Sequence, residues 1–182
     1  MSHLKAISPE SSTGKVKDLF GAVQDKLGMV PNMMRVMANS PSVLEGYLQF
    51  SGALSHGKLS ARTREQLALA VAEANGCEYC LAAHSTIGKK LGLSADQIHE
   101  SRAGESNDPK TNALIKFALR VVERLGHIDE DDMSAIRAAG FDDATIAEVL
   151  AGVALDVFTN YFNIVTEPEV DFPKAPALSA AR

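Results

Sequence analysis

The sequence predicts an all-α, single-domain helical bundle of about eight to nine helices. Three observations predict it. Apolar residues recur at helical spacing nearly throughout. Cap and breaker residues punctuate the periodic runs. No stretch alternates convincingly as a strand does. The 182 residues are one domain's length, enough to bury a core without disulfide staples. Hydrophobic residues make up 46% and charged residues 23%, ordinary for a globular protein.

The elements follow in order. Leu19, Val23 and Leu27 give one face of a first helix, which Gly28 ends. Pro31 opens a short helix whose Met33, Met34 and Met37 read as core. Pro41 opens the next, with Val43, Leu44, Tyr47, Leu48 and Leu54 inward and Gly57 as the stop. Ser60 caps a helix in which Leu67, Ala70, Val71 and Ala74 recur at i, i+3, i+4, i+7. Gly76 is its natural end, so a new helix begins at Cys77 and runs to about Leu91. Ser94 caps a short helix carrying Ile98. Asp108-Pro109 starts another, with Leu114, Phe117, Val121 and Leu125 on one face. Asp129 and Asp142 cap two more, the last running through Ile146, Val149, Val153, Phe158 and Val165. Pro168, Pro173 and Pro176 mark residues 168–182 as an irregular tail, disordered or wrapped on a neighbouring subunit. The whole chain, 1–182, reads as one domain.

Charge and composition exclude several function classes. A net charge of −5 without a basic run argues against a nucleic-acid partner. Met1 to Lys15 is polar and lacks the apolar region of a secretory leader. Glu148, Asp156 and Glu167 interrupt the apolar stretches, short of the roughly 18 residues of a membrane span. No membrane partner is expected. The Val149 to Val165 helix is apolar on more than one face, so the chain is expected to form a homo-oligomer.

Chemistry concentrates in Gly76-Cys77-Glu78-Tyr79-Cys80-Leu81-Ala82-Ala83-His84, which holds the chain's only two cysteines. Two thiols confined to one C-x-x-C fit a reducing cytosol, and the protein is expected to be cytoplasmic. The spacing suits thiol–disulfide chemistry or a soft metal. A reactive thiol must be held as thiolate. The first turn of a helix favours that anion. Cys80 and His84, at i and i+4, share a face. Glu65 lies on the preceding helix. If the two helices run antiparallel about Gly76, Glu65 approaches the motif helix one or two turns in, near His84. A carboxylate there holds the imidazole's tautomer and raises its basicity. A closed zinc site needs four ligands. Cys77, Cys80 and His84 supply three, and Glu65, His56, His99 and His127 offer no familiar fourth spacing. No metal or cofactor is expected. Tyr79 either packs in the core or lines the site. Asn160-Tyr161-Phe162-Asn163 places two amides in an apolar helix. Either they serve helix-surface and interface packing, or the amides or Tyr161 face the pocket, with Asn160 and Tyr161 as the candidate lining residues.

Glu65, eleven intervening residues, Cys77, Tyr79, Cys80, three residues and His84 together resemble the signature of the AhpD-like (alkylhydroperoxidase D) branch of the carboxymuconolactone decarboxylase family. The flanks, Leu59 to Gly76 and Leu81 to Leu91, resemble it too. The wider likeness, from about Val30 to Phe172, is to the peroxidase-related subgroup. The resemblance implies an all-helical fold and homo-oligomers, trimers or trimer-built hexamers. It implies a thiol-dependent peroxidase reducing hydroperoxides with no metal, haem or flavin. Cys80 matches the cysteine that attacks the peroxide, and Cys77 the resolving cysteine that faces the reductant. Glu65 and His84 match the proton-relay pair. The implied reductant is a thioredoxin-like or lipoyl-bearing protein. Tyr79 stands where the best-known members carry histidine, and a phenol with a pKa near 10 is a poor base at neutral pH. Two alternatives stand beside this reading. One is a non-catalytic redox sensor or oligomeric binding module. The other is a decarboxylase-like enzyme, whose chemistry does not need C-x-x-C.

Overall fold

The computed structural model describes residues 2–178. Met1 and the last four residues of the predicted tail, 179–182, lie outside the described residues. Among those described are a short 3-10 turn and nine α-helices, with no strand. The helices are α1 (Gly14–Leu27), α2 (Asn32–Met37), α3 (Pro41–Ser55), α4 (Ala61–Asn75), α5 (Glu78–Lys90), α6 (Ala95–Arg102), α7 (Pro109–Glu123), α8 (Glu130–Ala138) and α9 (Asp143–Thr166).

The start signals act as expected. Side chains of Ser60, Ser94, Asp108, Asp129 and Asp142 each accept a backbone N–H in the first turn of their helix. Two expectations shift. Pro31 is the cap of α2 rather than its first helical residue. Leu125 lies beyond the end of α7, in a left-handed turn at φ 52° and largely exposed, so it is not on that helix's apolar face.

Helix α4 is the hub. It packs against α5, α6, α7 and α9, and every residue from Gln66 to Ala72 is buried. Ala68, Ala70 and Ala72 let those neighbours approach closely. The core divides about α4. Leu69 and Ala72 face α1, α2, α3 and the cysteine pair, while Leu67, Ala70 and Val71 face α7, α8 and α9.

Helix α9 spans 24 residues and crosses this hub. Its best window has a mean hydropathy of 1.4, so by length and composition alone it could cross a membrane. The sequence reading, which counted Asp156 as an interruption, did not expect that. The physical account is burial on one side only. Ile146, Val149, Val153, Asn160 and Asn163 are buried against neighbouring helices, while Leu150, Phe158, Tyr161 and Val165 form an exposed apolar stripe.

The described part of the tail folds back on its own chain. Asp171 accepts a hydrogen bond from the Asn32 N–H at 2.7 Å, and the Asn32 amide donates to the Glu169 carbonyl at 3.0 Å. Arg102 donates to the Pro176 carbonyl at 2.6 Å. Phe172 and Ala175 pack onto the core cluster that contains both cysteines.

Candidate active site

The site is built on the α4–Gly76–α5 hairpin. Gly76 takes φ 69°, a left-handed conformation that favours glycine, and its N–H closes the end of α4. The chain then reverses, and Cys77 becomes the N-cap of α5. Its sulfur accepts the Cys80 N–H at 3.3 Å. Cys77 and Cys80 are paired as a disulfide, with Cα atoms 5.3 Å apart. Both are almost fully buried.

The reversal brings Glu65 of α4 beside His84 of α5. The His84 Nδ1–H donates to Glu65 Oε2 at 2.8 Å, which leaves Nε2 free to exchange a proton. Burial works against a charge on His84. The Glu65 carboxylate and its hydrogen bond, helped by Asp156, outweigh that and raise its pKa to about 8.

A cavity of about 440 Å³ reaches Cys80, Glu65 and His84, with Met33, Leu48 and Phe172 among its apolar walls. Cys77 is not on those walls. A second cavity, of about 140 Å³, lies against the same Glu65 and His84 and adds Asp156, Arg64 and Glu148. The carboxylate–imidazole pair thus stands between two spaces.

One residue at the site, Asp156, escaped the sequence reading, which weighed Asn163 only as an alternative. The Asn163 amide donates to Cys80 Sγ at 3.2 Å. It is one of the two amides that the sequence offered as facing the pocket. Asp156, read merely as a charge interrupting an apolar run, lines the smaller cavity, and burial lifts its carboxyl to a pKa of about 7. The signal that finds both is helical phase. Asp156, Asn160 and Asn163 recur at i, i+4 and i+7, a polar seam on an apolar helix.

The other site-lining candidates fall elsewhere. Asn160 is fully buried, and its side-chain oxygen accepts from Asn75 at 2.9 Å. It braces the end of α4 and is not on the wall of either cavity. Tyr161 is 53% exposed on the outer stripe of α9, beside Phe158 and Val165, and does not line the site. Tyr79 does line the larger cavity. Its hydroxyl donates to Asp171 Oδ1 at 2.7 Å and accepts from the Met33 N–H at 3.1 Å. Burial drives its pKa far up, so it serves as a tie between motif, α2 and tail rather than as a base. Cys77, expected to face a reductant, is 1% exposed in this conformation. Among the described residues, no group of three or more His, Cys, Asp or Glu is arranged to hold a metal ion.

The Asp156 carboxyl binds its proton more tightly in the folded chain than in the unfolded one, where its pKa is near 4. Its stabilising contribution is therefore complete below about pH 4 and is lost as pH rises through about 7. Asp156→Asn is expected to raise the Tm above pH 7 and to leave it nearly unchanged at pH 4. Thermal scans at the two pH values check this, and equal shifts at both would refute it.

The profile of the carboxymuconolactone decarboxylase family matches residues 41–124, from α3 to the end of α7, and so contains the whole hairpin site. The chain resembles the AhpD-like branch of this family. An uncharacterized peroxidase-related protein from Silicibacter sp. superposes with a TM-score of 0.80 at 24% identity, covering 94% of this chain and 97% of that one. The alkylhydroperoxidase AhpD core of an uncharacterized peroxidase-related protein from Ralstonia eutropha gives 0.81 at 26% identity, covering 93% and 92%. The debrominase Bmp8, in complex with 2,3,4-tribromopyrrole, shares the fold at 0.79 and 16% identity over 94% of each chain. No curated protein matches. The use of this fold by a debrominase shows that the fold alone does not select the reaction.

Proposed function

We propose that this AhpD-like chain is a cytoplasmic thiol peroxidase that reduces organic hydroperoxides through Cys77 and Cys80. One observation carries the reading. Of the two paired sulfurs only Cys80 opens onto the apolar cavity, and the Glu65–His84 pair lies on the same wall.

In the reduced enzyme the Cys80 thiolate is stabilised by the N-terminal turn of α5 and by the Asn163 amide. It attacks the terminal peroxide oxygen. The O–O bond breaks, the sulfur loses two electrons, and the departing alkoxide takes a proton from the His84 imidazolium. The products are an alcohol and a Cys80 sulfenic acid. The Cys77 thiol then attacks that sulfur, water leaves, and the disulfide forms. A thioredoxin-like or lipoyl-bearing dithiol restores the pair by exchange.

Turnover of alkyl hydroperoxides with each class of reductant tests the proposal. Many equivalents consumed per chain are expected. Consumption of about one equivalent is the result of a redox sensor and would end the enzymatic reading.

The same reading includes a homo-oligomer. Ala147, Leu150, Ala154, Phe158, Tyr161 and Val165 follow one another at three- and four-residue steps along the exposed side of α9. Such a continuous apolar stripe on a long helix suits contact with another copy. Light scattering is expected to give a trimer or hexamer for the wild type and a smaller species for Phe158→Glu. A monomeric wild type at micromolar concentration would rule the assembly out.

A further inference from the structure

The larger cavity has a polarity that peroxide reduction alone does not require. Cys80 lies at its buried end, with Met33 and Met34 beside it. At the solvent end are Leu27, Lys26 and Lys90, all exposed. Lys26 closes the last turn of α1 and Lys90 the last turn of α5. The lysine ion pairs among the described residues are those of Lys15, Lys58 and Lys174, so neither rim lysine has an acidic partner there. The one carboxylate on the cavity wall, Glu65, is already bonded to His84. An otherwise acidic chain with a net charge of −5 thus presents two uncommitted cations around the mouth of an apolar pocket.

Hydrogen peroxide would gain nothing from such walls. A volume of about 440 Å³ falls in the range of pockets that enclose a sizeable organic molecule. We infer that the cavity is shaped for an amphipathic hydroperoxide, with an apolar body and a carboxylate at the end remote from the peroxide. Met33, Met34, Leu48 and Ile87 receive the body. Lys26 and Lys90 receive the carboxylate, and the peroxide group reaches Cys80. The methionines suit a body of variable shape, because their side chains are unbranched and adaptable. The carboxylate takes no part in electron transfer. It sets orientation and raises the encounter rate, as complementary rim charges do.

This inference rests on the peroxidase reading, and the test separates the two. Reduced wild type is compared with Lys26→Gln/Lys90→Gln on three substrates: a medium-chain hydroperoxy carboxylic acid, its methyl ester and tert-butyl hydroperoxide. In parallel, calorimetry measures binding of decanoate, which carries no peroxide. The wild type is expected to prefer the acid to the ester in kcat/KM by about tenfold or more at low salt, at roughly fivefold per exposed charge contact. The double variant should lose that preference, keep its rate with tert-butyl hydroperoxide and bind decanoate correspondingly more weakly. Equal rates for acid and ester, or a preference that survives loss of both lysines, overturns the inference. If no hydroperoxide oxidises the dithiol, the peroxidase reading fails. Decanoate binding then decides on its own whether the cavity takes an anionic amphiphile.

Discussion

Cys80→Ser is expected to abolish both sulfenic acid formation and peroxide turnover, because it removes the only sulfur of the pair on the wall of the large cavity. Cys77→Ser should behave differently. Cys80, its helix terminus and the Asn163 amide survive, so one equivalent of peroxide is consumed and the enzyme then stalls as a Cys80 sulfenic acid. A dimedone-type probe read by mass spectrometry distinguishes the two variants. Labelling at Cys77 in Cys80→Ser, with none in Cys77→Ser, would reverse the assignment of attacking and resolving cysteine. Position on the cavity wall favours Cys80 as the attacking residue. A peroxide can reach Cys80 through the cavity, whereas Cys77 lies behind it at 1% exposure.

Loss of the proton relay is expected to have the next largest effect. Glu65→Gln and His84→Gln should each slow the attack step by about 10²–10⁴-fold, the usual contribution of a positioned proton-transfer group. Loss of His84 should cost at least as much as loss of Glu65, since the imidazole donates the proton and the carboxylate acts through it. The pH profile separates this role from a merely structural one. With its pKa at about 8, His84 is charged at neutral pH. The attack rate of the preformed thiolate should therefore fall as pH rises through about 8, and that limb should vanish in His84→Gln. In Glu65→Gln it should move to lower pH, because the principal group holding the proton on His84 is gone. Single-turnover kinetics follow all three, and unchanged rates in both variants would remove the relay while leaving the cysteines in place.

What the sequence made legible follows from the range of the interactions involved. The helices were readable because caps and breakers act over three or four residues. Ser60 to Thr63 and Asp108 to Thr111 are local bonds. The Glu65–His84 contact was also accessible, since one glycine turn between two helices fixes which residues face each other. Asn163 meets Cys80 across 83 residues, and Asp171 meets Tyr79 across 92. No local pattern encodes those distances. Asp156 was misread for a related reason. On a hydropathy scale it interrupts an apolar run, and only the packing of α9 on α4 and α5 turns the interruption into an inward-facing acid. The outer stripe of α9 shows the converse. Its apolar character was plain in the sequence, but which residues remain uncovered depends on how the helix lies on the hub. Tyr161 and Asn160 are adjacent in the chain and end on opposite sides of it.

The tail held by Asp171 and Phe172 makes access to the two cysteines unequal in time as well as in space. On the proposed reading, peroxide approaches Cys80 through the larger cavity. A reducing protein must touch a sulfur, and Phe172 and Ala175 of the tail pack against the cluster that contains both. On the proposed reading, exchange draws on the fraction of molecules whose tail has detached, and its observed rate is the intrinsic rate scaled by that fraction. Oxidation and recovery thus answer to different clocks. The first is set by peroxide concentration, the second by how often the tail's hydrogen bonds to Asn32, Tyr79 and Arg102 break together.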